Sequence, residues 1–218
     1  AVDRTLGTFF SDSTHPTLIP EHNFLYTICC TGNCTAALYA AWNAIVQCDN
    51  GNAQVNLLLN RASPWLDIDS YLPFDGKVVI RNKTAKTISV RIPGYVDLSS
   101  VKSTVNGEER VGISAGRYFT FANLQPKDEV VLTFGLGYST ESYTLKWKQD
   151  EFWKESTDPG KDWKPAEQPT AYTFTILGNT VLKVTPRDKG IGFPLYQRDG
   201  LAAAATQMVK VQRYIAPK

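Results

Sequence analysis

The middle of this sequence is a succession of short apolar segments separated by polar turn residues. The segments are 54–60, 66–72, 78–81, 87–92, 101–105, 117–121 and 129–134. The fifth is followed by Asn106-Gly107, the dipeptide that two-residue hairpin turns prefer because both positions tolerate a positive φ. Strands of this length and spacing are typical of two packed antiparallel sheets. Residues 53–138 are therefore predicted to form a β-sandwich, and the fold class is predicted to be mainly β.

One helix is predicted before these strands. Residues 35–46 are rich in alanine, and Leu38, Trp42, Ile45 and Val46 recur at helical spacing. Thr31 or Asn33 is suited to cap the start of this helix, and residues 49–52 are suited to end it. The many alanines suggest close packing against other helices, which this chain does not supply.

The last part of the chain, 139–218, is predicted to be a β-rich segment with one long loop. The loop spans 146–169 and contains Trp147, Trp153 and Trp163, which either anchor it or offer a stacking platform for a sugar. Strand character returns over 170–186, with Gly178-Asn179 as the turn, and a further strand is suited to 209–214.

Composition excludes several classes of function. The chain has 218 residues and a net charge of +2, and no Lys or Arg run is long enough to follow a phosphate backbone. No apolar run approaches the roughly 18 residues that a membrane span needs. We therefore expect neither a nucleic-acid nor a membrane partner. Residues 1–14 do not resemble a signal peptide, and the sequons at Asn33 and Asn82 are interpreted as chance matches.

Adjacent cysteines are the strongest chemical feature. Cys29 and Cys30 precede the predicted helix, and Cys34 and Cys48 are the other two cysteines. The pair could be small buried hydrophobes, soft metal ligands or a thiolate nucleophile at a helix N-terminus. His22 and Cys34 are the nearest additional donors, but their spacing to the pair matches no common zinc finger.

Several stretches, in order, resemble the bacterial β-L-arabinofuranosidase-like glycoside hydrolases of family 127. They are CCTGN at 29–33, VNLLL at 55–59, DIDSYLP at 67–73, SVRIPGY at 89–95, VNGE at 105–108 and PLYQRD at 194–199. Members of that family have an (α/α) barrel that carries the active site, followed by β-sandwich domains. The resemblance implies that 1–52 is the end of such a barrel with a remnant helix, that 53–138 is a sandwich domain, and that 139–218 completes the C-terminal portion.

The resemblance also implies a chemistry. Family members attack the sugar with a cysteine thiolate in a retaining mechanism, and a zinc ion held by the adjacent cysteines, an upstream cysteine and an upstream glutamate activates that thiolate. On this pattern Cys29 is the nucleophile and a zinc ligand, and Cys30 is a zinc ligand. The better-characterised members have Pro-Pro where this chain has Thr31-Gly32, and the acid–base glutamate lies upstream. Glu21 is too close to the pair to take either upstream role and is interpreted as a loop residue.

Two functions follow as hypotheses. In the first, the chain is the C-terminal fragment of a glycoside hydrolase that acts on arabinofuranosyl glycans, inactive without the missing N-terminal catalytic region. In the second, it is a non-catalytic β-sandwich accessory or carbohydrate-binding module with structural cysteines. The compartment is left open between bacterial periplasm and cytoplasm. Asp67 and Asp69 share one strand face and are either a carboxylate pair or part of a solvated sheet face, and His15 and His22 are interpreted as loop residues.

Overall fold

The computed structural model describes residues 28–145, 170–186 and 209. These residues fall into two compact units, the first with residues 28–135 and 209 and the second with residues 136–145 and 170–186. The chain contains one described α-helix, α1, Ile28–Ala44, and a short 3₁₀ helix, Leu98–Ser100. The fold is mainly β, as predicted, with a helix followed by sheets.

Eleven strands of the described residues belong to the first unit. They are β1 Val46–Asp49, β2 Asn52–Val55, β3 Arg61–Ala62, β4 Leu66–Ser70, β5 Lys77–Asn82, β6 Thr87–Arg91, β7 Lys102–Val105, β8 Glu108–Glu109, β9 Ile113–Ala115, β10 Tyr118–Phe121 and β11 Glu129–Thr133. They form two sheets, with the orders β1-β2-β6-β10-β9 and β3-β4-β5-β11-β7-β8. All pairs are antiparallel except β2 and β6, which run parallel because the chain crosses to the second sheet and returns between them.

The core of this sandwich is built by alternation along the strands. In β4 the buried residues Leu66, Ile68 and Ser70 alternate with half-buried ones, and β10 buries Phe119 and Phe121 in the same way. A period of two places every second side chain on one face of a sheet. The apolar faces of the two sheets are therefore buried together, which is the arrangement that the spacing of the apolar segments predicts.

The Asn106-Gly107 hairpin is confirmed. Asn106 and Gly107 have φ values of 55° and 85°, and Val105 pairs with Glu108 across the turn. The Asn106 side chain then accepts from the Glu129 backbone N–H at 2.9 Å and donates to the Asp128 carboxylate at 2.9 Å. The turn is thus bonded to the start of β11, and this contact fixes the register of three neighbouring strands.

The end of the predicted helix was placed too late. Helix α1 ends at Ala44, and Val46 already belongs to β1, which pairs with β2 through the register Val46↔Val55. Asn50 and Gly51 have φ values of 50° and 83°, so they form a hairpin turn rather than a helix end. The reason is that an Asn-Gly pair fits a helix C-terminus and a hairpin equally well, and here the strand partner decides between them.

The second unit contains a three-stranded antiparallel sheet. Its strands are β12 Tyr138–Leu145, β13 Thr170–Leu177 and β14 Thr180–Thr185, in the order β12-β13-β14. The turn after β13 is at Gly178, as predicted, with a φ of 57°. The Trp-containing loop at 146–169 lies outside the described residues, as does the predicted strand at 209–214 apart from Val209.

Asn82 is a buried polar residue that ties two loops to β5. Its Nδ2 donates to the carbonyl oxygens of Ala85 and Gln125 at 2.7 and 2.8 Å, and its Oδ1 accepts from the Ala85 backbone N–H at 2.9 Å. The residue is 3% exposed. In the folded chain the sequon at Asn82 is therefore closed to a glycan, in agreement with its interpretation as a chance match.

We predict that Asn82→Ala lowers the free energy of unfolding by about 2–4 kcal/mol, because it leaves buried backbone groups without partners. Urea denaturation measures the change. The exposed substitution Gln47→Ala in β1 is the control and is expected to change stability by less than about 0.5 kcal/mol. Equal stabilities for the two variants would contradict the bonding role of Asn82.

Candidate functional site

The cysteine pair lies in the first turn of α1. Cys29 and Cys30 are the second and third residues of the helix, which begins at Ile28. The sequence placed the helix start after the pair, with Thr31 or Asn33 as the cap, and that boundary was wrong. Both cysteines are thus at the end of the helix where backbone N–H groups lack intrahelical partners.

The described residues contain no complete set of metal ligands. Cys34 follows Cys30 by one helical turn and is half-buried, whereas Cys48 is in β1, beyond the far end of α1. Among residues 28–145, 170–186 and 209, no group of three or more His, Cys, Asp or Glu side chains could hold a metal ion. Two adjacent thiols are the kind of donor that zinc prefers, but a structural or catalytic zinc takes at least three protein ligands. The thiols of the pair are thus of the donor type that zinc prefers, but their number is below what a zinc site takes.

Asp67 and Asp69 share one face of β4, and each is paired with a cation of β5 or the turn after it. Lys83 Nζ lies 2.7 Å from Asp67 Oδ1 and donates to the Ser63 carbonyl at 2.8 Å. Arg81 forms an ion pair with Asp69, and its Nε lies 3.2 Å from Oε2 of Glu129. Both carboxylates are thus held in ion pairs on a half-buried sheet face, which differs from a free carboxylate pair and from a fully solvated face.

The loop of the SVRIPGY stretch is held by Arg117. Its Nε donates to the Ile92 carbonyl at 2.9 Å, and its Nη2 donates to the Val96 carbonyl at 2.7 Å. Tyr95 lies in this loop with a buried hydroxyl that has no hydrogen-bond partner among the described residues, and burial raises the pKa of that hydroxyl. Arg117 therefore ties the loop that follows β6 to the residue that precedes β10.

A contact that the sequence did not reveal joins the last turn of α1 to the sandwich. The Asn56 side chain donates to the carbonyl of Ala44 at 2.9 Å, which caps the helix C-terminus, and Tyr118 donates its hydroxyl to Asn56 at 2.9 Å. The guanidinium carbon of Arg61 lies 3.2 Å from the centre of the Trp42 ring. The helical spacing of Trp42 indicated one partner of this contact. No pattern in the sequence around Arg61 indicated the other.

Arg61 is buried and has no anionic partner among the described residues. It is 7% exposed, its Nη1 donates to the Ala62 carbonyl at 2.9 Å, and its Nε has no acceptor in the part of the chain that the structure describes. Removal from water lowers the pKa of the guanidinium, although the nearby Tyr39 opposes this. Because an arginine stays protonated in proteins, its charge remains in place and needs compensation.

In the described ranges, no helix is both long and apolar enough to cross a bilayer. His15, His22 and the three tryptophans at 147, 153 and 163 lie outside the described residues, so their suggested roles stay predictions.

Comparison with known proteins gives matches among solved structures. No protein-family model matches this sequence, and no curated protein matches it. The chain is similar to Ara127N, a GH127 β-L-arabinofuranosidase from Geobacillus stearothermophilus T6, with a TM-score of 0.48 and 16% identity over 80% of this chain and 29% of that one. It is also similar to BT3674, a GH127 β-arabinofuranosidase, with a TM-score of 0.47 and 17% identity over 72% of this chain and 26% of that one.

A third solved structure, described as a glycoside hydrolase, has a TM-score of 0.43 and 16% identity over 74% of this chain and 27% of that one. This chain spans less than a third of the length of each of these proteins.

Proposed function

We propose that this chain is part of a retaining glycoside hydrolase that acts on arabinofuranosyl glycans with Cys29 as the nucleophile. The observation that carries the proposal is the position of the Cys29-Cys30 pair in the first turn of a helix that leads directly into a β-sandwich. The ordered sequence stretches that resemble β-L-arabinofuranosidase-like enzymes support the same assignment. The catalytic region that precedes the pair in such enzymes is the partner that this chain needs.

The helix N-terminus suits a nucleophilic thiolate. Unpaired backbone N–H groups and the helix dipole stabilise a negative charge there, which favours thiolate over thiol. Thr31 and Gly32 follow the pair and carry no charge that would oppose this effect. The first turn of α1 is therefore a position at which the backbone would stabilise the Cys29 thiolate.

The proposed first step forms a bond between Cys29 Sγ and the anomeric carbon of the sugar. The bond from that carbon to the glycosidic oxygen breaks, and the leaving oxygen takes a proton from a carboxylic acid outside this chain. Water then attacks the same carbon, the thiolate leaves, and the carboxylate accepts the proton of the water. Two displacements at one carbon retain its configuration.

Cys29 and Cys30 are the residues of this chain that would hold zinc. A bound zinc would keep thiols deprotonated at neutral pH. Since the pair provides two ligands, a glutamate and a cysteine from the preceding region would complete the set. Cys30 then has the separate role of holding the geometry while Cys29 reacts.

Zinc content and thiol reactivity in the complete protein test the proposal. We expect about one zinc per chain, and removal of the metal with a chelator is expected to abolish hydrolysis and to be reversed by added zinc. Mass spectrometry after alkylation should show that zinc protects both Cys29 and Cys30, and that an arabinofuranosyl substrate protects Cys29. A metal-free protein whose Cys29 does not react would leave the accessory module with structural cysteines as the function.

The 218-residue chain by itself is predicted to show no turnover of aryl arabinofuranosides, because it has neither the general acid nor the other zinc ligands of the proposed mechanism. Measured hydrolysis by the purified chain, unaffected by the preceding region, would contradict this prediction. Binding of an arabinan to the chain without turnover would favour the module function.

A further inference from the structure

The chain contains two Asn-Gly dipeptides, and each closes a hairpin with a two-residue turn. The first, Asn50-Gly51, joins β1 to β2, and the second, Asn106-Gly107, joins β7 to β8. Their backbones are nearly the same, because the φ values are 50° and 83° in the first turn and 55° and 85° in the second. Both asparagines are exposed. The two turns are therefore a matched pair within one chain.

An asparagine that precedes a glycine can react with its own backbone. Hydroxide takes the proton of the glycine N–H, the nitrogen attacks Cγ of the asparagine, and the amide nitrogen takes a proton from water and leaves as ammonia. Water then opens the resulting succinimide at either carbonyl, which gives aspartate or isoaspartate. Glycine favours the attack because it has no Cβ to obstruct the approach. Among the described residues, neither Gly51 nor Gly107 donates its N–H to an acceptor, so the attacking nitrogen is available in both turns.

The hydrogen bonds of the side chains distinguish the two turns. Nδ2 of Asn106 donates to Oδ1 of Asp128 at 2.9 Å, and Oδ1 of Asn106 accepts from the Glu129 N–H at 2.9 Å. Oδ2 of Asp128 accepts from the Gln125 N–H at 2.7 Å, so the carboxylate is itself held in place. The side chain of Asn50 forms no hydrogen bond with the described residues. The amide is thus bonded in one turn and exposed to water in the other.

These bonds oppose the reaction at Asn106. The attack turns a planar amide into a tetrahedral centre bonded to the Gly107 nitrogen, and this change disrupts both hydrogen bonds of the amide. The bond from Asn106 and the one from the Gln125 N–H lower the pKa of Asp128, so this carboxylate is charged at the neutral and alkaline pH at which asparagine reacts. Its charge also opposes the negative charge that develops on the tetrahedral centre. None of these obstacles is present at Asn50.

We propose that Asn50 is a site of spontaneous deamidation and isoaspartate formation in this protein, and that Asp128 and Glu129 protect Asn106 from the same reaction. The modification needs only water and hydroxide, since no group is oxidised or reduced and ammonia is the leaving group. Neither zinc nor glycoside hydrolysis enters the proposal, so it stands or falls separately from the proposed function.

Isoaspartate at position 50 would weaken the β1–β2 hairpin. It adds a carbon atom to the backbone of a two-residue turn, and it places a carboxylate next to Asp49. The carbonyl of Gly51 accepts from the N–H groups of Lys86 and Thr87 at 2.8 and 3.2 Å, which bonds this turn to the start of β6. A longer turn moves that carbonyl away from its donors. We therefore expect the isoaspartate form to unfold at a lower urea concentration than the asparagine form.

Incubation of the 218-residue chain at mildly alkaline pH in water enriched in heavy oxygen tests the proposal. Peptide mass spectrometry measures the two rates, because each conversion replaces an amide by a labelled carboxyl group. In the folded chain we expect Asn50 to react about tenfold or more faster than Asn106. In concentrated urea, where the bonds to Asp128 and Glu129 are lost, the two rates are expected to agree within a few-fold. A carboxyl methyltransferase specific for isoaspartate should methylate the peptide that contains residue 50.

Variants of Asp128 test the protection directly. Asp128→Ala is expected to raise the Asn106 rate about fivefold or more, towards the rate in urea, and to leave the Asn50 rate unchanged. Asp128→Asn keeps an uncharged acceptor and is expected to give an intermediate Asn106 rate, so it also serves if the alanine variant does not fold. Asp97→Ala is the matched control, since Asp97 is another exposed carboxylate that accepts from a backbone N–H, that of Ser99 at 3.0 Å. It is expected to change neither rate.

Three outcomes would overturn the proposal. Equal rates at Asn50 and Asn106 in the folded chain would contradict the protection of the second turn. Absence of conversion at Asn50 in the folded chain, while the chain in urea reacts, would exclude the first turn as a modification site. An Asn106 rate that is the same in the unmodified chain and in both Asp128 variants would exclude Asp128 as the protecting group.

Discussion

Replacing Cys29 with serine in the complete protein is expected to lower kcat/KM for an aryl arabinofuranoside by about 10⁴-fold or more. A serine hydroxyl remains protonated at neutral pH, so the variant lacks the thiolate that the first displacement needs. The substitution changes one atom, and the backbone of the first turn of α1 accepts either residue. The loss should therefore appear in activity and leave the thermal unfolding midpoint nearly unchanged.

The measurement is a comparison of initial rates with a matched cysteine variant. Cys48 lies in β1, beyond the opposite end of the helix. The variant Cys48→Ala is expected to keep the initial rate within a few-fold of that of the unmodified protein. A mechanism-based arabinofuranosyl inhibitor should add one sugar to Cys29, detected by mass spectrometry, and should add none to the serine variant. Full activity of Cys29→Ser would exclude the thiolate mechanism, whereas equal loss in Cys48→Ala would indicate a folding effect instead.

Replacing Gly76 with alanine is expected to have the largest effect on folding, about 3 kcal/mol or more of lost stability. An added Cβ would stand 1.9 Å from the carbonyl oxygen of Phe134 and 2.9 Å from its carbonyl carbon. The Phe134 backbone N–H also donates to the Gly76 carbonyl at 2.8 Å, so the two segments cannot separate without breaking that bond. The obstacle is backbone, which a change of rotamer cannot relieve.

Gly135 provides the control because it is the next residue in the opposing segment. A Cβ at Gly135 meets nothing within 4 Å, and its φ lies outside the left-handed region. Gly135→Ala is expected to change stability by less than about 0.5 kcal/mol, or to raise it slightly through the unfolded state. Urea denaturation of both variants measures the difference, and similar midpoints would contradict the close approach at Gly76.

The strands of the sandwich were largely predictable because their signal is local. The segments around Leu66, Val78 and Thr87 alternate apolar and polar residues, or run apolar between turns, and each became a strand within a few residues of its predicted bounds. The Asn106-Gly107 turn was predictable for the same reason, since two consecutive positive φ values are required at the dipeptide itself. Strands that were missed, such as β3 and β9, have two or three residues and carry almost no pattern.

The resemblance to arabinofuranosidase-like enzymes was likewise a property of the sequence, because short ordered motifs can be read without coordinates. It drew attention to Cys29 and Cys30, and the structure sets them at the second and third positions of α1. Their proposed roles as nucleophile and zinc ligands depend on groups outside the described residues and stay proposals.

By itself, the sequence determined the helix-then-strand order, the hairpin at Asn106 and the cysteine pair, because each depends on neighbours along the chain. Only the tertiary structure decided that Asn50-Gly51 closes a hairpin, since that choice depends on the pairing of β1 with β2. It also decided that Arg61 loses its water and stacks on Trp42, 19 residues away in sequence. Burial of a charge is set by what the folded chain brings around it, and no local pattern records that.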